Sequence, residues 1–159
     1  MMRTCLFPGT FDPITLGHTD VISRGLDLFD RLVIGIGVNS SKTPMFALEE
    51  RMAWIKEIYK DDARVEVTSY SGLTIDFCKK IDARFILRGI RNIGDFEYEK
   101  AIADVNRTLA PHIETIFLST ALQYSSIAST LVRDIYRYGG DVTSFLPEAV
   151  IAGIKRIKQ

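Results

Sequence analysis

Apolar residues occur along this chain in two alternating patterns: short continuous runs and longer stretches with helical spacing. The short runs are rich in β-branched residues or alternate in polarity, which predicts strands. Five segments have this character: Thr4–Pro8, Leu32–Val38, Arg64–Ser69, Phe85–Leu87 and Thr115–Leu118. Each is bounded by polar, glycine or proline residues, so we expect five short strands.

The stretches between these runs carry apolar residues three or four positions apart, which predicts amphipathic helices. Six stretches show this spacing, at 21–29, 48–59, 73–81, 98–109, 127–135 and 150–157. Pro111 ends the fourth, and Gly139 and Gly140 end the fifth. Strands alternating with helices predict an α/β fold, a Rossmann-like, doubly wound, five-stranded parallel sheet with helices on both faces. Ligands of such folds bind beyond the carboxyl ends of the strands.

Composition supports a globular protein, since 47% of the 159 residues are hydrophobic and 25% are charged. We expect one domain over residues 1–159. A net charge of zero excludes a protein that binds nucleic acid through a generally basic surface. The longest uncharged stretch, Thr115 to Val132, contains eight Ser, Thr or Gln residues and would be a poor membrane span. With no apolar leader and only Cys5 and Cys78 as thiols, we expect a cytoplasmic protein.

The segment after the first strand has the character of a phosphate site. Two glycines and two prolines between Pro8 and His18 make a fixed turn, and Gly17-His18 opens the next helix. A helix N-terminus attracts anions through its free N–H groups, and His18 would add an imidazole donor. The alternative is that His18 only caps the helix.

Three further segments follow strands and offer donors to the same sheet edge. Lys42 stands in a polar loop after the second strand, where plain solvent exposure is the alternative. Arg88 ends the fourth strand, and Gly89 would let a ligand approach the backbone. Asp95, Glu97 and Glu99 offer a different role for the arginines, as salt-bridge partners. The fifth strand leads into the hydroxyl-rich segment Thr120–Arg133, where ordinary capping explains some hydroxyls.

Cations from several strand ends would repel one another unless they shared an anion. Together with the neutral donors of the same sheet edge, they predict a polyphosphate site. The chain lacks a G-x-x-x-x-G-K-[ST] loop, and no G-x-G-x-x-G follows the first strand, which excludes two common nucleotide-binding classes. No cluster has zinc spacing, and we expect no protein-bound metal.

Two motifs resemble the signatures of the nucleotidylyltransferase superfamily. Thr15-Leu16-Gly17-His18 is similar to [HT]-x-G-H, and Ile127–Arg133 is similar to I-S-S-T-x-x-R. Within the superfamily the chain resembles the bacterial phosphopantetheine adenylyltransferase family through further segments: 8–13, 42–46, 48–51, 88–91, 95–99 and 140–147. Two positions depart from the family pattern. Ala128 replaces a usual serine, and Thr74 replaces a residue that is often larger and apolar.

The resemblance implies transfer of the adenylyl group of ATP to 4′-phosphopantetheine, which gives dephospho-coenzyme A and pyrophosphate. It implies that Thr10 and His18 contact the α-phosphate, while Lys42 and Arg88 hold the attacking phosphate. The ATP-binding residues that it implies are Thr10, Phe11, His18, Gly89, Ile90, Arg91, Glu99, Tyr124, Ser125, Ser126, Ile127, Ala128, Ser129 and Thr130. For the acceptor it implies Thr10, Lys42, Thr74, Arg88 and Asn106. It also implies Mg²⁺ bound with ATP and a homohexamer.

Asn106 places a polar amide on the same helical face as Ile102 and Leu109. A pantetheine arm, which carries two amides, would be one partner for it; a satisfied core amide is the alternative. Two other functions also remain open. One is a related enzyme that transfers AMP or CMP to another phosphorylated acceptor, such as nicotinate mononucleotide or glycerol phosphate. The other is a non-catalytic ATP-binding module.

Overall fold

The computed structural model describes residues 2–38 and 43–157. Within these ranges the chain forms five strands, β1 to β5, and six helices, α1 to α6. The strands are β1 Thr4–Gly9, β2 Arg31–Gly37, β3 Val65–Tyr70, β4 Phe85–Ile90 and β5 Glu114–Ser119. The helices are α1 Leu16–Leu26, α2 Leu48–Ile58, α3 Thr74–Lys80, α4 Ile93–Leu109, α5 Ser129–Arg137 and α6 Glu148–Ile157. Their order and types confirm the predicted α/β fold.

The strands form one parallel sheet in the order β3-β2-β1-β4-β5. The chain builds outward from β1 through β2 to β3, and then crosses back to place β4 on the other side of β1. The carboxyl ends of β1 and β4 therefore lie where the winding direction reverses. This is the position at which doubly wound sheets leave a crevice for a ligand.

Residues alternate across the sheet and supply a separate core on each face. Cys5 and Phe7 of β1 join one core, whereas Leu6 between them joins the other. The larger core includes residues of α1, α2, α5 and α6, and the smaller core includes Ile75 and Cys78 of α3. Helices on both faces thus hold the strand ends in fixed positions.

Strand β4 is longer than the predicted segment Phe85–Leu87. It continues to Ile90 because Arg88, Gly89 and Ile90 pair with Phe117, Leu118 and Ser119 of β5. The expectation that Arg88 marks the strand terminus was therefore wrong. The apolar run ends at Leu87, but backbone pairing with a neighbouring strand does not require apolar side chains.

The apolar stripe of helix α4 is exposed and does not face the core of this chain. Tyr98, Ile102, Val105 and Leu109 have the predicted spacing, yet they are 69%, 39%, 58% and 55% exposed. This helix has no buried residue in the part of the chain that the structure describes. The periodicity correctly predicts a helix, while the apolar face is not used in this chain's own core. None of the described helices is long and apolar enough to span a bilayer.

Candidate active site

Two adjoining cavities open at the carboxyl ends of β1 and β4. The first, which we call the crevice cavity, has a volume of about 690 Å³ and lies between the two strand ends. The second, which we call the side cavity, has a volume of about 740 Å³ and extends toward α4. Thr10, Arg88 and Glu99 line both cavities. These three residues therefore mark the place where ligands in the two cavities would meet.

Most of the predicted site residues line these cavities. Those at the crevice cavity are Thr10, Phe11, His18, Arg88, Gly89, Arg91, Glu99, Ile127, Ala128, Ser129 and Thr130. Those at the side cavity are Thr10, Thr74, Arg88, Glu99 and Asn106. Asn106 thus faces a cavity together with Ile102, which excludes the core-amide alternative.

Five predicted residues are not placed at the cavities. Ile90, Tyr124, Ser125 and Ser126 lie outside the linings of the two cavities as the described chain outlines them. Lys42 falls outside the described residues, although its neighbours Thr43 and Pro44 line the crevice cavity.

The turn after β1 is shaped by an aromatic ring packed over a glycine. Phe11 is buried and has a φ of 48°, in the left-handed region. A Cβ atom at Gly9 would lie 2.8 Å from the Phe11 ring, so only glycine permits this packing. Gly89 has a similar role, because a Cβ there would lie 2.9 Å from Val21 Cγ2 on α1. Its missing side chain is thus needed for helix packing as well as for the cavity wall.

His18 lies in the first turn of α1 and uses one ring nitrogen to hold that turn. The backbone N–H of Thr15 donates to His18 Nδ1 at 3.0 Å, and Thr15 Oγ1 lies 2.9 Å from the same nitrogen. Because Nδ1 accepts the backbone hydrogen bond, the proton of the neutral ring is on Nε2. Nε2 has no hydrogen-bond partner among residues 2–38 and 43–157, and it is available to a ligand in the crevice cavity. The capping role and the donor role therefore belong to different nitrogens.

The surroundings keep the His18 imidazole neutral. The Phe11 ring packs edge-on with its centroid 5.2 Å from that of His18. Burial from water, followed by the positive charges of Arg88 and Arg91, lowers the pKa of His18 to about 4. At neutral pH the side chain is therefore a neutral hydrogen-bond donor and does not act as a cation.

The guanidinium of Arg88 is held by Glu99 of α4 and by the end of β1. Its Nε donates to Glu99 Oε2 at 2.7 Å, its Nη2 donates to Glu99 Oε1, and its Nη1 donates to the carbonyl of Pro8. The Arg88 side chain is 29% exposed and that of Glu99 is 12% exposed. This is a two-pronged ion pair at the meeting point of the two cavities.

Arg91 is held in the same manner by Asp95, one turn earlier on α4 than Glu99. Arg91 Nε and Nη2 donate to the two Asp95 oxygens at 2.8 and 3.0 Å. Hydrogen bonds from Arg91 lower the pKa of Asp95. The salt-bridge role considered for this acidic run is thus observed at Asp95 and Glu99. It does not displace the arginines from the cavity, because both still line it.

A buried polar network that the sequence analysis did not identify fixes the floor of the crevice. Asp12 is 3% exposed and accepts hydrogen bonds from the backbone N–H groups of Met45 and Phe46 at 2.8 and 2.9 Å. Arg51 is 4% exposed and donates to the carbonyls of Phe46 and Thr10 at 3.0 and 2.7 Å. Both residues lie in segments that resemble the family, 8–13 and 48–51. Only the fold shows that both side chains hydrogen-bond to the backbone of Phe46.

Helix α1 also holds the chain that leaves β5. Asp20 accepts a hydrogen bond from the backbone N–H of Ala121 at 3.0 Å, and Arg24 donates to the carbonyl of Ser119 at 2.6 Å. The carbonyl of Tyr124 also lies near Gly17, 3.6 Å from where a Cβ atom would stand. Tyr124 thus packs against the start of α1 without lining a cavity.

The start of α5 presents a second helix N-terminus to the crevice cavity. Ala128 is the N-cap residue and has the extended backbone of a cap, with no side-chain hydrogen bond to the helix. Ser129 Oγ donates to the Pro13 carbonyl at 2.9 Å, which ties α5 to the turn after β1. Backbone N–H groups at two helix starts therefore converge on one crevice, an arrangement that binds phosphate groups.

Together these groups are of the kind that bind and polarise phosphate oxygens. The Asp12, Asp95 and Glu99 carboxylates at the crevice all accept hydrogen bonds from N–H groups, so none is placed as a general base. In the described ranges, no group of three or more His, Cys, Asp or Glu residues is arranged to hold a metal ion. The site stabilises negative charge by donors and cations, which suits transfer of a phosphoryl or nucleotidyl group.

Comparison with known proteins agrees with this chemistry. Residues 6–135 match the model of the cytidylyltransferase-like family. The phosphopantetheine adenylyltransferase of Flavobacterium psychrophilum is 58% identical over 149 residues, which cover 94% of this chain and 98% of that relative. The enzyme of the same name from Lachnoclostridium phytofermentans is 47% identical over 150 residues, 94% of this chain and 92% of that relative.

The fold and the crevice are those of a cytidylyltransferase-like nucleotidyltransferase. Within that class, the chain belongs to the phosphopantetheine adenylyltransferase family. The resemblance inferred from the two signature motifs is thus confirmed.

Proposed function

We propose that this chain transfers the adenylyl group of ATP to the phosphate of 4′-phosphopantetheine, giving dephospho-coenzyme A and pyrophosphate. Family membership over nearly the whole chain supports this reaction. The structural observation that supports this reaction is the pair of cavities that adjoin at Thr10 and Arg88. Two substrates that each occupy one cavity would bring their phosphates together there.

The reaction needs orientation and charge stabilisation more than a base. An oxygen of the acceptor phosphate forms a bond to the α-phosphorus of ATP, and the bond from that phosphorus to the pyrophosphate oxygen breaks. The attacking phosphate is already an anion, so no proton has to be removed from it. His18 Nε2–H would donate to a non-bridging α-phosphate oxygen as negative charge develops there.

ATP would occupy the crevice cavity, which is lined by residues from the starts of α1 and α5. Arg91, Ser129 and Thr130 line that cavity and would surround the β- and γ-phosphates. The described carboxylates of the crevice are already engaged by N–H groups, so Mg²⁺ would be held by phosphate oxygens and water. When bound, it would neutralise charge on the leaving pyrophosphate.

The acceptor would occupy the side cavity, which is lined by apolar side chains and by the Asn106 amide. Asn106, Ile102 and Thr74 line the cavity along α4 and the start of α3. A pantetheine arm has amides joined by short aliphatic segments, so it matches this mixture. Lys42 would join Arg88 at the attacking phosphate, as the family resemblance implies.

A pyrophosphate-release assay with ATP and a panel of acceptors tests the proposal. The panel contains 4′-phosphopantetheine, pantetheine without its phosphate, nicotinate mononucleotide and glycerol phosphate. We expect pyrophosphate only with phosphopantetheine, because pantetheine lacks the phosphate nucleophile and the other two acceptors lack a pantetheine arm for the side cavity. Faster release with another phosphorylated acceptor would assign the chain to a related enzyme. Binding of ATP without release for any acceptor would favour a non-catalytic module.

We also propose that the chain acts in the cytoplasm as one domain within a homohexamer. The exposed apolar stripe on α4 supports assembly, since Tyr98, Val105 and Leu109 are each more than half exposed. Free, buried Cys5 and Cys78 fit a reducing compartment. Light scattering should give the mass of six copies of this 17.9 kDa chain. A stable monomer at micromolar concentration would contradict the assembly.

A further inference from the structure

The segment that leaves β5 is fastened to α1 by a bridge of two side chains. The carbonyl of Ser119 accepts a hydrogen bond from Arg24 Nη1 at 2.6 Å. The same nitrogen donates to Asp20 Oδ2 at 3.2 Å, and that oxygen also accepts from the backbone N–H of Ala121 at 3.0 Å. The bridge therefore joins the residues on either side of Thr120 to one face of α1.

Thr120, the residue between the two attachment points, is part of the crevice wall. It is 8% exposed and lines the crevice cavity. Its backbone N–H donates to the carbonyl of Ile90 at 2.9 Å, so β4 also holds it. Its hydroxyl oxygen lies 3.6 Å from where a Cβ atom of Gly89 would stand, and its methyl carbon lies 3.8 Å from the corresponding point at Gly17. Thr120 is thus fixed between α1 and β4, on which the crevice is built.

The attached segment runs along α1 toward the end that carries His18. Beyond the bridge, the carbonyl of Tyr124 lies beside Gly17, which is about one helical turn before Asp20. The chain then enters α5, and residues 127–130 line the crevice cavity. The bridge therefore sets the register between His18 and a segment that forms another part of the crevice wall.

We propose that Asp20 is a positioning residue for the nucleotide, which acts by holding the segment after β5 against α1. This inference rests on the proposed function, which places ATP in the crevice cavity. The Asp20 side chain is 14% exposed and lines neither cavity as the described residues outline them. Its carboxylate is an anion, so charge alone would make its removal strengthen the binding of a polyphosphate. Positioning predicts the opposite sign, because a segment that must be ordered on binding lowers affinity.

Four variants separate the hydrogen bond from the charge. Asp20→Ala removes both, Asp20→Asn keeps an oxygen acceptor without the charge, and Asp20→Glu keeps the charge but displaces the acceptor by one methylene. Asp104→Ala is the matched control, because Asp104 also pairs with a cation four residues away on its helix, Lys100, outside the linings of both cavities as described. Calorimetry measures the affinities for ATP and for phosphopantetheine, and hydrogen exchange measures the protection of the Ala121 amide.

We expect Asp20→Ala to weaken ATP affinity by about 10-fold and to leave phosphopantetheine affinity within about twofold, because the held segment lines the crevice cavity. The Ala121 amide should exchange about 10-fold faster in this variant. Asp20→Asn should keep ATP affinity within about threefold, whereas Asp20→Glu should weaken it as Asp20→Ala does. Asp104→Ala should match the unmodified protein. If Asp20→Ala does not fold, the contrast between Asp20→Asn and Asp20→Glu decides the question.

Several results would overturn the inference. Tighter ATP binding in Asp20→Ala, or a loss in Asp20→Asn with normal affinity in Asp20→Glu, would show that the carboxylate acts through its charge. Unchanged ATP affinity with faster exchange at Ala121 would make the bridge purely structural. Equal losses for both substrates would show that it does not serve the nucleotide in particular. If the unmodified protein binds both substrates but releases no pyrophosphate, the proposed function has failed, while ATP affinity and amide exchange still decide this inference.

Discussion

His18 illustrates how one side chain serves both the fold and the site. Its Nδ1 accepts from the Thr15 backbone and closes the first turn of α1, while Nε2–H is left for a ligand. Sequence reasoning treated capping and donation as alternatives. The imidazole caps the helix through Nδ1 and leaves Nε2–H facing the crevice cavity, so the two roles do not compete for one nitrogen.

The protonation state of His18 is a prediction at this scale. With a pKa of about 4, caused first by burial and then by Arg88 and Arg91, the ring should stay neutral at pH 6. An ¹⁵N NMR titration should show a proton on Nε2 and none on Nδ1, and a His112→Gln variant assigns the signals.

The same lowered pKa of His18 should make folding stability depend on pH. The unfolded ring has a pKa of about 6.5 and would bind a proton that the folded ring does not. Folding stability should therefore fall as the pH drops from about 6.5 to 4. An imidazolium signal from His18 at pH 6 would contradict both the neutral ring and this pH dependence.

Lys42 and Arg91 should separate the two substrates. Lys42→Ala should raise KM for phosphopantetheine more than that for ATP, since the resemblance places it at the attacking phosphate. Arg91→Ala should act mainly on ATP, because Arg91 lines the crevice cavity and is absent from the lining of the side cavity. Steady-state kinetics with each substrate varied in turn gives the comparison. Equal effects of both variants on both substrates would show that this division of the site is wrong.

At the scale of single elements, helix α5 has no side-chain hydrogen bond from its N-cap residue, although the backbone of that residue has the geometry for one. Ala128 has φ −123° and ψ 139°, the extended geometry of an N-cap residue. Ala128→Ser should therefore raise the free energy of unfolding by about 1 kcal/mol in the absence of ligand. Urea unfolding measures the change, and Ala128→Cys, of nearly the same shape, is the control. An equal gain in both variants would show that capping is not the cause.

Periodicity predicted the identity and order of the five strands and six α-helices, because each has a local apolar signal, but it did not predict the short 3-10 helices Leu122–Tyr124 and Thr143–Phe145. It predicted the end of β4 wrongly, since Arg88 to Ile90 are held by pairing with β5. It also did not show that the α4 stripe stays outside the core. The Asp12 and Arg51 network was missed for the same reason: Arg51 contacts Thr10, 41 residues away in the sequence. Contacts of this kind depend on the topology.

The whole molecule unites these parts through one topological feature. Because the winding reverses between β1 and β4, the turn before α1 and the end of β4 face each other across a crevice. The side cavity then opens along α4, and Thr10, Arg88 and Glu99 line both cavities where they adjoin. The sheet order places His18 and Arg88 in the lining of one cavity, although they are far apart in the sequence.

The most direct test of this account is the effect of His18→Ala on kcat in the presence of saturating ATP and phosphopantetheine. Removal of one donor to developing charge typically lowers kcat by about 10²- to 10³-fold. We expect a loss of this size, with ATP affinity within about threefold and an unchanged fold by circular dichroism. A loss of tenfold or less, or a collapse of the melting temperature, would show that His18 serves the helix first and would contradict the account.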